Sequence, residues 1–566
     1  MHGPAARESR VRFGAYELDL KTSELRKSGV LLRLPPQPFR VLALLASRPS
    51  ELVTREELRD RIWGADTFVD FEHGLNFAIK KIRDTLGDDA ETPRYIETLP
   101  RRGYRFIAPV DALSPSLAGQ PSDRRIAVLP FVNGTGDPSL EYLSDGLTDI
   151  LIGTLSQLPH LRVMARSTVF RYKGKDELPQ EIGRKLQVGA VLMGTVMQRT
   201  GVVEIQVDLV DTTDGTEVWG SRYAREMASI TQLQSDITRD VSRSLRIRLG
   251  ANEEQRLGIA GTANSEAYRL YLEGRQLWYG RTTEGLKRSI ELFQQAILAD
   301  PAYALAYSGL ADTYDVLPNY GAGINVRRAL LLADEASRKA VELDSSLPEA
   351  HLSRASSLAL AWKWSEAEAE YRYALELNPN SANGHYFYAF TFLAPEKHLD
   401  EALNEFGIAL SLDPLSAIVN TNYATTLMMA RRYPEALTQF QKALELDPNL
   451  DAAHLKLSHL HAVTGHFEEA IAELQAYSPT PGSWTADAKG YNELTLATVP
   501  NQGDWQAYAA LTFALLGDSE KTFEYLERAF SDADTNLPAC IRFPALDPMR
   551  SDSRYTNLVR RLGLPE

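Results

Sequence analysis

The sequence predicts three structural classes in one chain: an α+β module, then an α/β domain, then an all-α array of helix pairs. Three observations carry that reading. Strand-like alternation brackets three helical patterns over residues 11–110. Short apolar strands mix with amphipathic helices over 126–250. From about residue 263 a motif ending in Asp-Pro or Asn-Pro recurs. A length of 566 residues leaves room for three or four domains at about 150 residues each.

In the first module, "VRFGAYELDL" alternates as strands do, and "ELRKSGVLLRL" reads as two strands around a Ser28-Gly29 turn. "PPQPFRVLALLASRP" is a helix opened by prolines and closed by Pro49. "TREELRDRIW" is a second, with Thr54 as N-cap and Glu57 three residues on, the spacing of a capping box. "DFEHGLNFAIKKIRDTLGD" is a third, with Leu75, Ile79, Ile82 and Leu86 on one stripe and Gly87 as its stop. "RYIETLPRRGYRFIA" closes the module as a β-hairpin.

The third helix has a second face: His73, Asn76, Phe77, Lys80 and Lys81, with Arg83 flanking. Amide, cation and apolar groups near a helix start match what base edges offer in the major groove. The hairpin tip, Arg101 and Arg102, supplies charge for the adjacent minor groove or backbone. Residues 1–110 carry 19 Lys+Arg against 16 Asp+Glu, a net of +3. The remainder carries 42 against 59, a net of −17, so polyanion contact is confined to the first module.

Residues 11–110 resemble the winged helix-turn-helix effector domain of the OmpR/PhoB type. "LPPQPFRVLALLASRP", "VTREELRDRIWG", "LNFAIKKIRDTLGD" and "YIETLPRRGYRF" carry the resemblance. It implies that Asn76, Phe77 and Lys81 face bases, and that His73, Lys80, Arg83 and Thr98 lie near phosphates. It implies a wing in the minor groove, with Arg101, Arg102 and Tyr104 among its contacts. Pro100 stands where members often carry a wing arginine, which leaves open whether Arg101 or Arg102 enters. About ten residues precede the module, with no receiver domain, in the manner of one-component CadC/ToxR-like regulators. Residues 111–125, "DALSPSLAGQPSDRR", read as a polar linker rather than a membrane span.

Over 126–250 the order is "IAVLPF", a helix from Leu140, "LRVMA", "LPQEIGRKLQ", three long strands and a closing helix. This resembles the amino-terminal domain of TolB, a domain associated mostly with protein contacts. "NGTGDP" lacks the phosphate-cradling pattern and serves a turn equally well.

In 263–566, Asp300, Asp344, Asn378, Asp413 and Asp447 end helices at spacings of 44, 34, 35 and 34. A period of 34 is the tetratricopeptide signature. Ala436/Phe440/Ala443, Ala402/Phe406/Ala409 and Ala367/Tyr371/Ala374 supply its small-aromatic-small second helices. Such helices stack into a right-handed superhelix whose concave face receives a peptide or protein. Tyr386, Tyr388, Asn420, Asn422 and Tyr423 lie on first helices, either exposed to that groove or packed between repeats. "FPALDPMRSDSRYTNLVRRLGLPE" reads as a cap.

The single Cys540, the polar first ten residues and the lack of a long apolar run point to a reducing, cytoplasmic setting. His454, His459, His461 and His466 do not share one helix face, so neither metal nor cofactor is expected. Nucleophile-elbow, zinc-protease and P-loop motifs are absent, and the chain reads as a non-enzyme. The expected partners are double-stranded DNA and a protein or peptide at the repeats, with a homodimer on DNA left open. The other reading is an interaction scaffold whose winged helix docks protein.

Overall fold

Two units divide the chain, Met1–Gln120 and Pro121–Glu566. The computed structural model describes residues 10–13, 16–19, 24–27, 30–32, 34–46, 48, 52–63, 71–90, 93–99, 102–108, 111–112, 124–158, 160–199, 202–226, 229–245, 261–320, 324–498 and 506–566.

In the first unit, β1 (Arg10–Phe13), β2 (Tyr16–Asp19), β3 (Glu24–Lys27) and β4 (Val30–Leu32) form an antiparallel meander. β8 (Asp111–Ala112), inside the stretch read as linker, pairs with the free edge of β1. Helices α1 (Pro36–Ala46), α2 (Arg55–Leu58) and α3 (Phe71–Leu86) follow the meander. α2 continues into a π-helical turn, Arg59–Trp63. The Thr54 hydroxyl accepts the Glu57 N–H at 3.1 Å, as an N-cap should. The Glu57 carboxylate turns instead to Arg48 at 2.8 Å and Arg61 at 3.3 Å. Leu75, Ile79, Ile82 and Leu86 are buried on α1, and Gly87 ends α3 at φ +62°. The Tyr16 hydroxyl donates to the Leu86 carbonyl at 2.6 Å, tying meander to helix end.

The expected hairpin forms as β6 (Ile96–Leu99) and β7 (Gly103–Phe106). A third strand, β5 (Leu52–Thr54), adds to it in the order β5-β7-β6 and was not anticipated. Gly103 is what lets β5 approach: a Cβ there would lie 2.1 Å from the Val53 carbonyl oxygen.

The second unit begins with a mixed sheet in the order β11-β9-β12-β13-β14. Its strands are β9 (Arg124–Val128), β10 (Val132–Asn133, on β12), β11 (Leu161–Val163), β12 (Ala190–Arg199), β13 (Val202–Asp211) and β14 (Glu217–Glu226). Helices α4 (Glu141–Ser156), α5 (Arg166–Val169), α6 (Pro179–Leu186) and α7 (Ile230–Ser244) accompany it.

Helix pairs then repeat. The second helices Thr283–Ala299, Val326–Leu343, Trp364–Leu377, Leu399–Leu412 and Tyr433–Leu446 each end on the predicted Asp or Asn. The three small-aromatic-small triads are buried throughout. The uneven spacings have local causes. The 44-residue interval holds an extra turn, Leu317–Tyr320, before its second helix. The 35-residue interval widens into a π-helical segment, Tyr388–Leu393, which absorbs one added residue.

These Asp/Asn-Pro turns also hold the α/β domain. Asp413 accepts the Thr168 hydroxyl at 2.7 Å and bonds the Ser167 hydroxyl, while the Ala165 N–H reaches the Leu412 carbonyl at 2.8 Å. Asn378 donates to Ser156 at 2.9 Å, and Arg171 to the Leu446 carbonyl at 2.7 Å. The carboxy-terminal segment contacts the opposite ends of the helix pairs. Trp364 donates to the Leu562 carbonyl at 2.7 Å, Arg542 to Pro395 at 2.7 Å and Arg327 to Ser531 at 2.8 Å.

Candidate nucleic-acid interface

α3 is two-sided because its apolar residues recur at helical spacing, which leaves Asn76, Phe77 and Lys80 on the side away from the buried stripe. Asn76, Phe77 and Lys80 are exposed; Phe77 is 64% exposed, unusual for a phenyl group without a partner. Lys81 is half-buried. The backbone of His73 lies in the first turn of α3, and Arg101 lies outside the described residues.

Arg83, expected near phosphates, is engaged within the domain. Its guanidinium donates to the Ile96 carbonyl and to the Thr98 hydroxyl, both at 2.8 Å. It joins α3 to the first wing strand. The base of the wing is fixed from the other side by Asp88, whose carboxylate accepts the N–H groups of Arg94 at 2.7 Å and Ile96 at 3.0 Å. At the tip, Arg102 is exposed while its backbone is held: its N–H meets the Leu99 carbonyl at 3.0 Å, and its carbonyl accepts the Arg55 N–H at 3.2 Å.

Tyr104 corrects its expected place among the surface contacts. It is 3% exposed, because β7 runs between β5 and β6 and turns this side chain against α3. Its hydroxyl donates to Asn76 Oδ1 at 3.2 Å and accepts from Arg55 at 3.1 Å.

For the repeat residues offered as partner-binding, the packed reading holds and the groove-facing one is corrected. Tyr388, Asn420 and Asn422 are buried, and Tyr386 and Tyr423 half-buried. The rings of Tyr386 and Tyr423 pack on Phe406, and Tyr388 stacks on Phe392. The amides are consumed too. Asn420 donates to the Ser416 carbonyl at 2.7 Å; Asn422 donates to Tyr386 at 2.8 Å and receives Lys456. Lys456 lies inside this network over the Phe390 ring, and burial pushes its ammonium down to about 8. None of this shows in the repeat pattern, which marks helix positions but not what covers them. Among the described residues no group of His, Cys, Asp and Glu is arranged to hold a metal. Nor is any helix among them long and apolar enough to cross a membrane.

Three helices, an exposed third-helix face and a wing tied to it make the amino-terminal unit a winged-helix domain of the transcriptional-regulator type. Residues 29–106 match the family model described as "Transcriptional regulatory protein, C terminal". Residues 122–240 match the second domain of HilA/YgeH-like transcriptional regulators, and 397–451 and 427–483 match tetratricopeptide repeats. The chain is similar to the transcriptional regulator HilA of Salmonella typhimurium, 28% identical over 412 residues, 72% of this chain and 71% of that one. It is 33% identical over 249 residues to putative adenylate cyclase 3 of Rhizobium meliloti, covering 43% of this chain and 41% of that protein's length. Among solved structures, the DNA-binding domain of Escherichia coli CadC is 30% identical over 19% of this chain and 99% of that one, with a TM-score of 0.17.

Proposed function

We propose that the chain is a cytoplasmic, non-catalytic, sequence-specific DNA-binding transcription regulator. Its third helix enters the major groove, and its wing reaches the minor groove or backbone. One observation carries the reading: an exposed amide, phenyl and lysine stand together on the helix whose other face is fully buried. Asn76, Phe77 and Lys81 meet bases in this reading; Lys80, Thr98 and Arg102 meet phosphate, with His73 and Arg101 beside them. Arg83 serves by holding the wing against the helix.

The second unit is the input side and takes a protein partner. The tetratricopeptide matches at 397–451 and 427–483 support this, since stacked helix pairs of that kind present extended surfaces to peptides and proteins. An acidic second unit, part of the −17 remainder, also keeps DNA to the winged helix.

The test is anisotropy of the full chain on duplexes selected from a random pool. Binding should fall by tens-fold or more between about 50 and 200 mM salt. Lys81→Ala should cost roughly 1–3 kcal/mol and relax base preference. The exposed Phe77 also favours a second reading, a protein-docking winged helix. Partner capture that survives Asn76/Lys81 double substitution, with no selection of duplex, would establish it.

A further inference from the structure

We infer that Tyr104 is a positioning residue that decides which face of the Asn76 amide a base meets. The inference rests on the DNA-binding reading above. Asn76 is exposed on α3, yet its amide is held from behind by the buried Tyr104 hydroxyl, 3.2 Å from Oδ1. Arg55 fixes the direction of that bond. A guanidinium has only donors, so at 3.1 Å it takes a lone pair of the Tyr104 oxygen and leaves the phenolic proton to point onward. The Tyr104 hydroxyl donates to Oδ1, which sets Asn76 with Oδ1 inward and the Nδ2 donors outward. Backbone geometry holds the relay still. Tyr104 lies on the central strand of β5-β7-β6, paired with Val53 on one side and Thr98 on the other. Arg55 follows Thr54, whose strand partner is Gly103, where no side chain fits.

The consequence is a specificity rule. A free asparagine amide pairs with adenine through both atoms, accepting from N6 and donating to N7. With Oδ1 turned inward, Asn76 presents its Nδ2 donors, loses the adenine N6 contact and prefers edges richer in acceptors: N7 and O6 of guanine, or O4 of thymine. Removing the phenolic oxygen frees Oδ1 and restores the adenine pairing.

The experiment is selection from a duplex pool with a randomised core, using the full chain as wild type, Tyr104→Phe, Arg55→Met, Asn76→Ala and the Tyr104→Phe/Asn76→Ala double variant. Phe keeps the buried ring, and the thermal transition of each variant checks folding. At the position that Asn76→Ala makes indifferent, the wild type should enrich guanine or thymine. Tyr104→Phe should shift that position toward adenine by about fivefold or more, with affinity for an unselected duplex unchanged within about twofold. Arg55→Met should shift it the same way by less, and Tyr104→Phe should change nothing once Asn76 is alanine. Enrichment of the same base at the same ratio by Tyr104→Phe overturns the relay while leaving the DNA reading intact. So does an equal shift in the Asn76→Ala background. A wild-type chain that enriches no sequence overturns the DNA reading and the relay with it.

Discussion

The third helix of the winged unit and the first helices of the repeats carry similar residues, and the fold treats them oppositely. Asn76 and Phe77 stand in solvent; Asn420, Asn422 and Tyr388 are buried. An amide and an aromatic ring off the apolar stripe mean a contact surface only where nothing further in the chain returns to cover them. α3 has one partner face. The repeat helices have several, because neighbouring repeats and the carboxy-terminal segment pack around them. Asparagine on a helix is thus an exposed group in one region and a structural strut in the other.

The sharpest way to break that comparison is to remove each amide. Asn422→Ala strips the buried Lys456 ammonium of its carbonyl partner and leaves the Tyr386 hydroxyl without its donor. It should destabilise the second unit by about 3–4 kcal/mol. Asn76→Ala should cost less, about 1 kcal/mol, because it takes the acceptor from one neutral hydroxyl, that of Tyr104, beside an exposed helix face. Tryptophan fluorescence in denaturant reads the first effect selectively, because six of the seven tryptophans lie beyond residue 120. A loss below about 1 kcal/mol for Asn422→Ala would place that amide with Asn76 instead.

Lys456 extends the comparison to pH. Burial lowers its ammonium from 10.5 to about 8, so the folded chain holds fewer protons than the unfolded chain between those values. Wild-type stability should therefore rise with pH across that window and lose this contribution as pH falls through 8. Relative to Lys456→Met, the gain from pH 8 to 10 should be about 2–3 kcal/mol. Denaturant midpoints of both proteins at the two pH values measure it. Parallel curves would mean that the ammonium is solvated and the groove open.

The repeat architecture was legible because its evidence is local: each Asp or Asn caps its own helix, and each alanine meets the partner helix a few residues away. The three helices and the wing of the first unit were legible for the same reason. β5 was missed because three residues carry no period. The docking of the α/β domain was hidden differently. Asp413 looks like any repeat turn, and its bonds to Ser167 and Thr168 span 246 and 245 residues. The repeat residues were hidden for another reason: Tyr388 and Asn422 sit at the right helical positions, but their burial is decided by the side chains packed against them, Tyr371 and Phe392 for one, Tyr386 and Lys456 for the other. In the site, Asn76, Phe77 and Lys80 could be read from the α3 stripe, whereas Tyr104 and Arg83 took on positioning roles only once strand order was known.

The smallest expected effect tests whether the low structural cost of the recognition face extends to the frame behind it. Thr54 caps α2 through the Glu57 N–H at 3.1 Å and also pairs with Gly103 across the β5–β7 ladder. Its hydroxyl satisfies one helix donor, worth about 1 kcal/mol. The reciprocal half of the capping box is missing, because Glu57 is committed to Arg48 and Arg61. Thr54→Ala should therefore cost about 1 kcal/mol in the first unit, and Glu57→Gln less, since half-exposed ion pairs contribute little. Hydrogen exchange of the β5 and β7 amides, read by mass spectrometry on the full chain, would resolve both. If Thr54→Ala accelerates exchange in β7 as well as α2, the cap and the wing share one cooperative frame, and the strand carrying Tyr104 loosens with the helix start that carries Arg55. Exchange confined to α2 would instead leave the strand ladder alone as what keeps that tyrosine in place.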